Sequence, residues 1–182
     1  MDHSDHLKLL TKGIPRPGGV WGEFGSGRGA FTLALAELVG QMGVIYSVDR
    51  DNYALNEQAR AIQGKFSDQA PVMHYLNADY TKPLSLPALD GLLMANTLHF
   101  QRKKEETLKL CLGYLRPGGC LILVEYNVDL ENQWVPYPIS YKTWHSLAQD
   151  CGYVNTKLLA VKPSRFLGQV YSAASYKPDE GG

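Results

Sequence analysis

Four residues able to accept hydrogen bonds, Glu23, Asp49, Asp79 and Asn96, each stand at or just past the end of an apolar run. Behind the first comes Gly25-Ser26-Gly27-Arg28-Gly29, three glycines at alternate positions. Glycine supplies positive φ and lets a ligand approach the backbone closely, so this loop is built to cradle a nucleotide. With Ala30 it reads as G-x-G-x-x-A, the dinucleotide fingerprint, and equally as G-x-G-x-G. Glu23 separates the two. A dinucleotide would bring a pyrophosphate to the following helix N-terminus, where a carboxylate repels it. The ammonium and sulfonium of S-adenosylmethionine would instead be attracted. Asp49, 24 residues after Gly25, can accept both ribose hydroxyls of either cofactor. Asp79 can accept from an adenine amine, with Tyr80 as an aromatic wall.

Methyl transfer from a sulfonium is an in-line displacement, for which the protein aligns the acceptor and excludes water. An acceptor that must lose a proton also needs a base. His99, Glu125 and Tyr126 are the candidate catalytic residues, because they follow the fourth and fifth apolar runs. Beyond them runs YNVDLENQWVPYPISYKTW, in which Trp134, Tyr137, Tyr141 and Trp144 are expected to form an aromatic lid, stiffened by Pro136 and Pro138. A connection this long usually does more than join elements.

The elements that must hold these residues are legible in the same runs. Strands are expected at 20–24, 44–49, 72–77, 91–96 and 120–125, alternating with helices at 30–39, 52–63 and 102–115. Gly40, Gly64 and Pro117-Gly118-Gly119 are the expected helix stops. Such alternation predicts an α/β fold, a doubly wound, mostly parallel sheet covered by helices on both faces. Ser140 caps a helix to Cys151, after which 157–161 and 168–174 follow with no helix between. The last of the seven strands must therefore run antiparallel.

In this order the chain resembles the class I S-adenosylmethionine-dependent methyltransferases. Glu23 with the glycines, Asp49, Asp79, Asp90 before the fourth strand, Ala95-Asn96-Thr97-Leu98-His99 after it, and Leu115-Arg116-Pro117-Gly118-Gly119 before the fifth carry the resemblance. It spans roughly residues 18–175. It implies a three-layer, seven-stranded Rossmann-like fold and an enzyme that uses S-adenosylmethionine. Glu23, Gly25, Ser26, Gly27, Gly29, Asp49, Arg50, Asp79, Tyr80, Asn96 and Thr97 would bind the cofactor, with Glu23 at its methionine end and Asn96 and Thr97 beside the sulfonium.

The 182 residues make one domain at 18–175, with an N-terminal helical segment at 1–17 and a flexible tail at 176–182. A formal net charge of zero provides no field toward nucleic acid or membrane. Asn96-Thr97-Leu98-His99 also departs from the N/D-P-P-Y/F signature of enzymes that methylate nitrogens in polymers. A small-molecule acceptor is therefore expected, rather than nucleic acid. Three dispersed cysteines, no apolar run of membrane length and no basic-then-apolar leader predict a cytoplasmic protein. No metal is expected, since Asp2, His3, Asp5 and His6 sit on a free end. Two alternatives stay open: a cofactor-binding scaffold without turnover, and a nicotinamide oxidoreductase resting on G-x-G-x-x-A alone.

Overall fold

The computed structural model describes residues 1–179. Seven strands, β1 (Gly19–Phe24), β2 (Gly43–Asp49), β3 (Val72–Asn77), β4 (Leu89–Ala95), β5 (Leu115–Tyr126), β6 (Val154–Ser164) and β7 (Gly168–Tyr176), form one sheet in the order β3-β2-β1-β4-β5-β7-β6. Strands β1 to β5 pair in parallel, while β7 pairs antiparallel with both β5 and β6. The chain reverses direction of travel across the sheet between β1 and β4, and ligands of open sheets bind at such a switch point.

Five helices cover the sheet: α1 (His3–Leu10), α2 (Ala30–Val39), α3 (Asn52–Phe66), α4 (Lys104–Tyr114) and α5 (Tyr141–Asp150). One face packs Leu9, Leu10, Phe31, Leu35 and Ile62 from α1, α2 and α3 against Ile45, Leu93, Ile122 and Val124. The other packs Leu108, Cys111, Trp144 and Ala148 from α4 and α5 against Phe24, Leu92, Met94 and Tyr171. Apolar side chains on both faces explain why β4 and β5 are almost uninterrupted apolar runs.

Several boundaries differ from the sequence expectation, each for a local reason. Helix α3 passes through Gly64, which is exposed with open space where a side chain would sit, and stops only at Ser67, where φ is +52°. Strand β5 begins at Leu115, five residues before the apolar run, with a register shift against β4 between Leu89 and Gly91. The N-terminal segment is no appendage, because Leu9 and Leu10 are fully buried in the core. The start of the expected tail is tied down as well: Tyr176 ends β7, Lys177 N donates to Gly119 O and Gly118 N donates to Lys177 O. Residues 180–182 of that tail lie outside the described part.

Candidate active site

The glycine loop leaves the carboxyl end of β1 and turns into α2. Gly25 has φ +70°, and a Cβ there would lie 2.1 Å from Thr97 Oγ1. The glycine thus makes room for a side chain from the loop after β4, not only for a ligand. Gly27, at φ +54°, donates its amide to Asp49 Oδ2 at 2.7 Å. Asp49 Oδ1 accepts from Asp51 N at 2.8 Å. Asp49 therefore closes the loop and still has acceptor capacity for a ribose, since a carboxylate offers about four lone-pair positions.

Two cavities open on either side of Gly25 and Asn96. One, of about 200 Å³, is lined by Asp49, Arg50, Tyr80, Thr97, Phe100 and Gln101. The other, of about 350 Å³, is lined by His6, Glu23, Ser26, Arg28, Phe31 and Ala95 among others. Glu23 is 2% exposed, and its Oε2 is buried without a hydrogen-bond partner. Asn96, which adopts φ +51°, likewise leaves Oδ1 buried and unpartnered. Burial pushes the Glu23 carboxyl up to about 8, against the lowering effect of the Thr32 hydroxyl and with a smaller raising contribution from Asp49. Two orphaned acceptors on one cavity wall, one a carboxylate reluctant to ionise, make a site that wants a cationic donor.

Beneath the loop lies a buried polar chain. The Ser47 hydroxyl is 2.7 Å from both Ser26 Oγ and Gln58 Oε1, and Gln58 Nε2 donates to Thr32 Oγ1 at 2.7 Å. Ser47, Gln58 and Thr32 are fully buried. The sequence reading does not single them out; a polar residue on the otherwise apolar inward face of α3, as Gln58 is beside Ala54, Leu55 and Ile62, is the available signal.

Asp79 stands beyond β3 with Oδ1 accepting from Thr81 N and Oγ1, at 2.9 and 2.7 Å. Those two bonds hold its carboxyl below the ordinary value. Tyr80 lines the smaller cavity with part of its ring. It is buried, stacked on Phe24 at 5.8 Å, and its hydroxyl lies 3.0 Å from Thr97 Oγ1 and accepts from Gln101 Nε2.

His99 sits in a 3₁₀ turn, Leu98–Phe100, just past β4, and lines neither cavity itself, although its neighbour Phe100 lines the smaller one. Its Nδ1 lies 2.7 Å from Glu125 Oε2, and its backbone N–H donates to Glu125 Oε1 at 3.2 Å. Both side chains are almost wholly buried, at 4% and 0% exposure. Because β4 and β5 are neighbours in register, Ala95 beside Val124, residues separated by 26 positions become a pair. With Nδ1 facing a carboxylate, Nε2 is left as the basic nitrogen. Lys104, also buried, donates to Gln101 O at 2.9 Å and lies 5.7 Å from the Tyr137 ring; burial lowers its pKa.

The expected aromatic lid does not assemble. Trp144 is fully buried in the core on the α5 side, and Tyr141 packs edge-on against Tyr171 at 5.8 Å. The reason is the helix itself: α5 turns these residues toward the sheet, where large aromatic area is best buried. Tyr137 donates its amide to His99 O at 3.0 Å, and Trp134 is 65% exposed. Neither Phe100 nor Phe166 was singled out in the sequence, yet both flank the His99–Tyr126 region.

Residues 22–123, more than half of the chain, match the family described as a methyltransferase domain. The chain belongs to that family. This methyltransferase uses S-adenosylmethionine, and the orphaned Glu23 and Asn96 oxygens fit the ammonium end of that cofactor. The nicotinamide alternative falls with this assignment. Among curated proteins it is 27% identical to the hybrid PKS-NRPS synthetase apdA of Emericella nidulans, over 86% of this chain but only 4% of that protein. It is 27% identical to the ribosomal RNA large subunit methyltransferase E of Alkalilimnicola ehrlichii, over 65% of this chain and 64% of that one. The fold is shared with Haemonchus contortus phosphoethanolamine N-methyltransferase 2 in complex with phosphomonomethylethanolamine and S-adenosylhomocysteine, at TM-score 0.77 and 12% identity, covering 97% of this chain and 53% of that one. It is shared also with the CurJ carbon methyltransferase, at TM-score 0.74 and 19% identity, covering 98% and 54%.

Proposed function

We propose that this methyltransferase transfers a methyl group to an acidic carbon of a small acyl acceptor, a 3-oxoacyl thioester, with His99 as the base. The buried His99–Glu125 pair carries the reading. An amine in its unprotonated form attacks without a base. A carbon between two carbonyls becomes a nucleophile only after a proton is removed, and that is the work a carboxylate-oriented imidazole does. Similarity to a polyketide synthase hybrid and to the fold of a carbon methyltransferase supports the same acceptor class.

When bound, S-adenosylmethionine supplies an electrophilic methyl group and leaves as the thioether once its methyl–sulfur bond breaks. Glu23 and Asn96 would hold its amino-acid end, Asp49 its ribose and Asp79 its adenine amine, with the Gly25–Gly29 backbone lining the path between. His99 Nε2 takes the proton from the acceptor carbon, and the electron pair of that C–H bond forms the new C–C bond. Glu125 fixes the ring's orientation and balances the imidazolium charge. Tyr126, its ring centroid 6.4 Å from that of His99, stays a candidate for contact with the acceptor. The cytoplasmic assignment is kept on the three buried cysteines, all free thiols; among the described residues no helix is long and apolar enough to cross a membrane.

The test is incubation with methyl-labelled S-adenosylmethionine and three acceptor sets: 3-oxoacyl N-acetylcysteamine thioesters, small amines, and a ribosomal RNA transcript. Label on the thioester α-carbon is expected, falling roughly 10²–10⁴-fold in kcat for His99→Ala. Glu125→Gln should also lower kcat, with cofactor affinity unchanged in both variants. Label entering the amines or the RNA but no thioester would overturn the reading.

A further inference from the structure

Four rings form a row at the carboxyl edge of the sheet. Phe100 lies 4.3 Å from His99, His99 6.4 Å from Tyr126, and Tyr126 5.5 Å from Phe166 in an edge-on contact. The row starts at the cofactor cavity, which Phe100 lines, passes the proposed base and ends at the turn between β6 and β7. Its two ends are the open parts: Phe100 is 56% exposed and Phe166 49%.

Phe166 is held where it is. Its amide donates to Ser164 Oγ at 3.2 Å, and Gln169 N donates to Leu167 O at 2.8 Å, which tightens the turn. At its base the hairpin is joined to the residue after Tyr126, since Asn127 N donates to Gln169 O at 3.0 Å and Asn127 Nδ2 to Gln169 Oε1 at 3.2 Å. These bonds carry the ring of β5 and the ring of the hairpin as one unit. Phe166 packs edge-on against Tyr126 and leaves about half of its surface exposed, an apolar face open to a substrate chain.

We propose that Phe166, backed by Tyr126, is the specificity-determining wall against which the acyl chain of the acceptor lies, and that it sets the preference for chain length. The proposal rests on the carbon-acid acceptor argued above. With the reactive carbon at His99, between Phe100 and Tyr126, the chain distal to the carbonyls extends along the row toward the hairpin. Each methylene that reaches the ring is partly removed from water, a gain of up to about fourfold in affinity per methylene.

The experiment measures kcat/KM for a homologous series of 3-oxoacyl N-acetylcysteamine thioesters of increasing chain length, on the full chain with S-adenosylmethionine. Wild type is expected to gain up to about fourfold per methylene until the chain passes the ring. Phe166→Ala should flatten that rise through KM of the longer members. It should leave the shortest member and the calorimetric affinity for S-adenosylhomocysteine unchanged, which also shows that the variant is folded. Phe166→Leu should restore most of the slope. An undiminished slope in Phe166→Ala, with the wild type active, overturns this inference alone. Methylation of no thioester by the wild type overturns the acceptor reading and this inference with it.

Discussion

Glu23 is the residue on which the cofactor end of the site turns. A carboxylate raised from 4.5 to about 8 by burial holds its proton more tightly in the folded chain than in the unfolded one. Its contribution to stability is therefore complete below about pH 4.5 and is lost as pH rises through about 8. The cofactor-free protein should lose several kcal/mol across that window by thermal or denaturant unfolding, and Glu23→Gln should flatten the loss. Binding should reverse the sign of the problem, because an ammonium beside Glu23 favours the ionised form. At pH 7, S-adenosylhomocysteine binding to wild type is expected to release a proton, detected as a buffer-dependent calorimetric enthalpy. The Gln variant should bind more weakly and release none.

Among the elements, the loop between β1 and α2 illustrates how a local motif acquires a distant cause. Gly25 looks like a ligand-clearing glycine, and its positive φ is required by the turn. The tertiary structure adds Thr97, whose hydroxyl occupies the space a Cβ would need. Gly25→Ala must therefore either displace the loop after β4 or distort its own, at a cost of roughly 2–4 kcal/mol. A lowered unfolding midpoint together with lost cofactor binding is expected. An unchanged midpoint would mean that Thr97 swings aside freely. The β6–β7 hairpin and the loop after β4 are the other elements that shape the site. The loop after β4 carries a sequence motif, Ala95 to His99; the β6–β7 hairpin carries none, because its contribution is a meeting of side chains rather than a backbone form.

For the whole molecule, the N-terminal helix is the telling case. Its sequence is short and mostly polar, which reads as a peripheral segment. In the fold Leu9 and Leu10 are fully buried and join Phe31 and Ile122 in one of the two cores, while His6 borders the cavity containing Glu23. Leu10→Ala should cost about 2–5 kcal/mol, lowering the unfolding midpoint by roughly 5–15 °C for a chain of this size. The same variant should weaken S-adenosylhomocysteine binding, since the helix forms part of the cavity wall.

What the sequence determined by itself is the backbone: runs of strand and helix, the turns between them, the glycine loop, and carboxylates at strand ends. These follow from preferences that act over a few residues, so Glu23, Asp49, Asp79 and Asn96 could be placed at or just past strand ends before any contact was known. The end of α3 departed from the glycine signal because Gly64 stands at an exposed helix position that tolerates a glycine. The contacts were decided by tertiary structure alone. His99 became paired with Glu125 because β5 lies next to β4, Trp144 became core because α5 faces the sheet, and Phe166 reached Tyr126 because β7 doubles back beside β5. Strand order is a property of the whole chain, set by which apolar faces bury one another, and no window of sequence contains it.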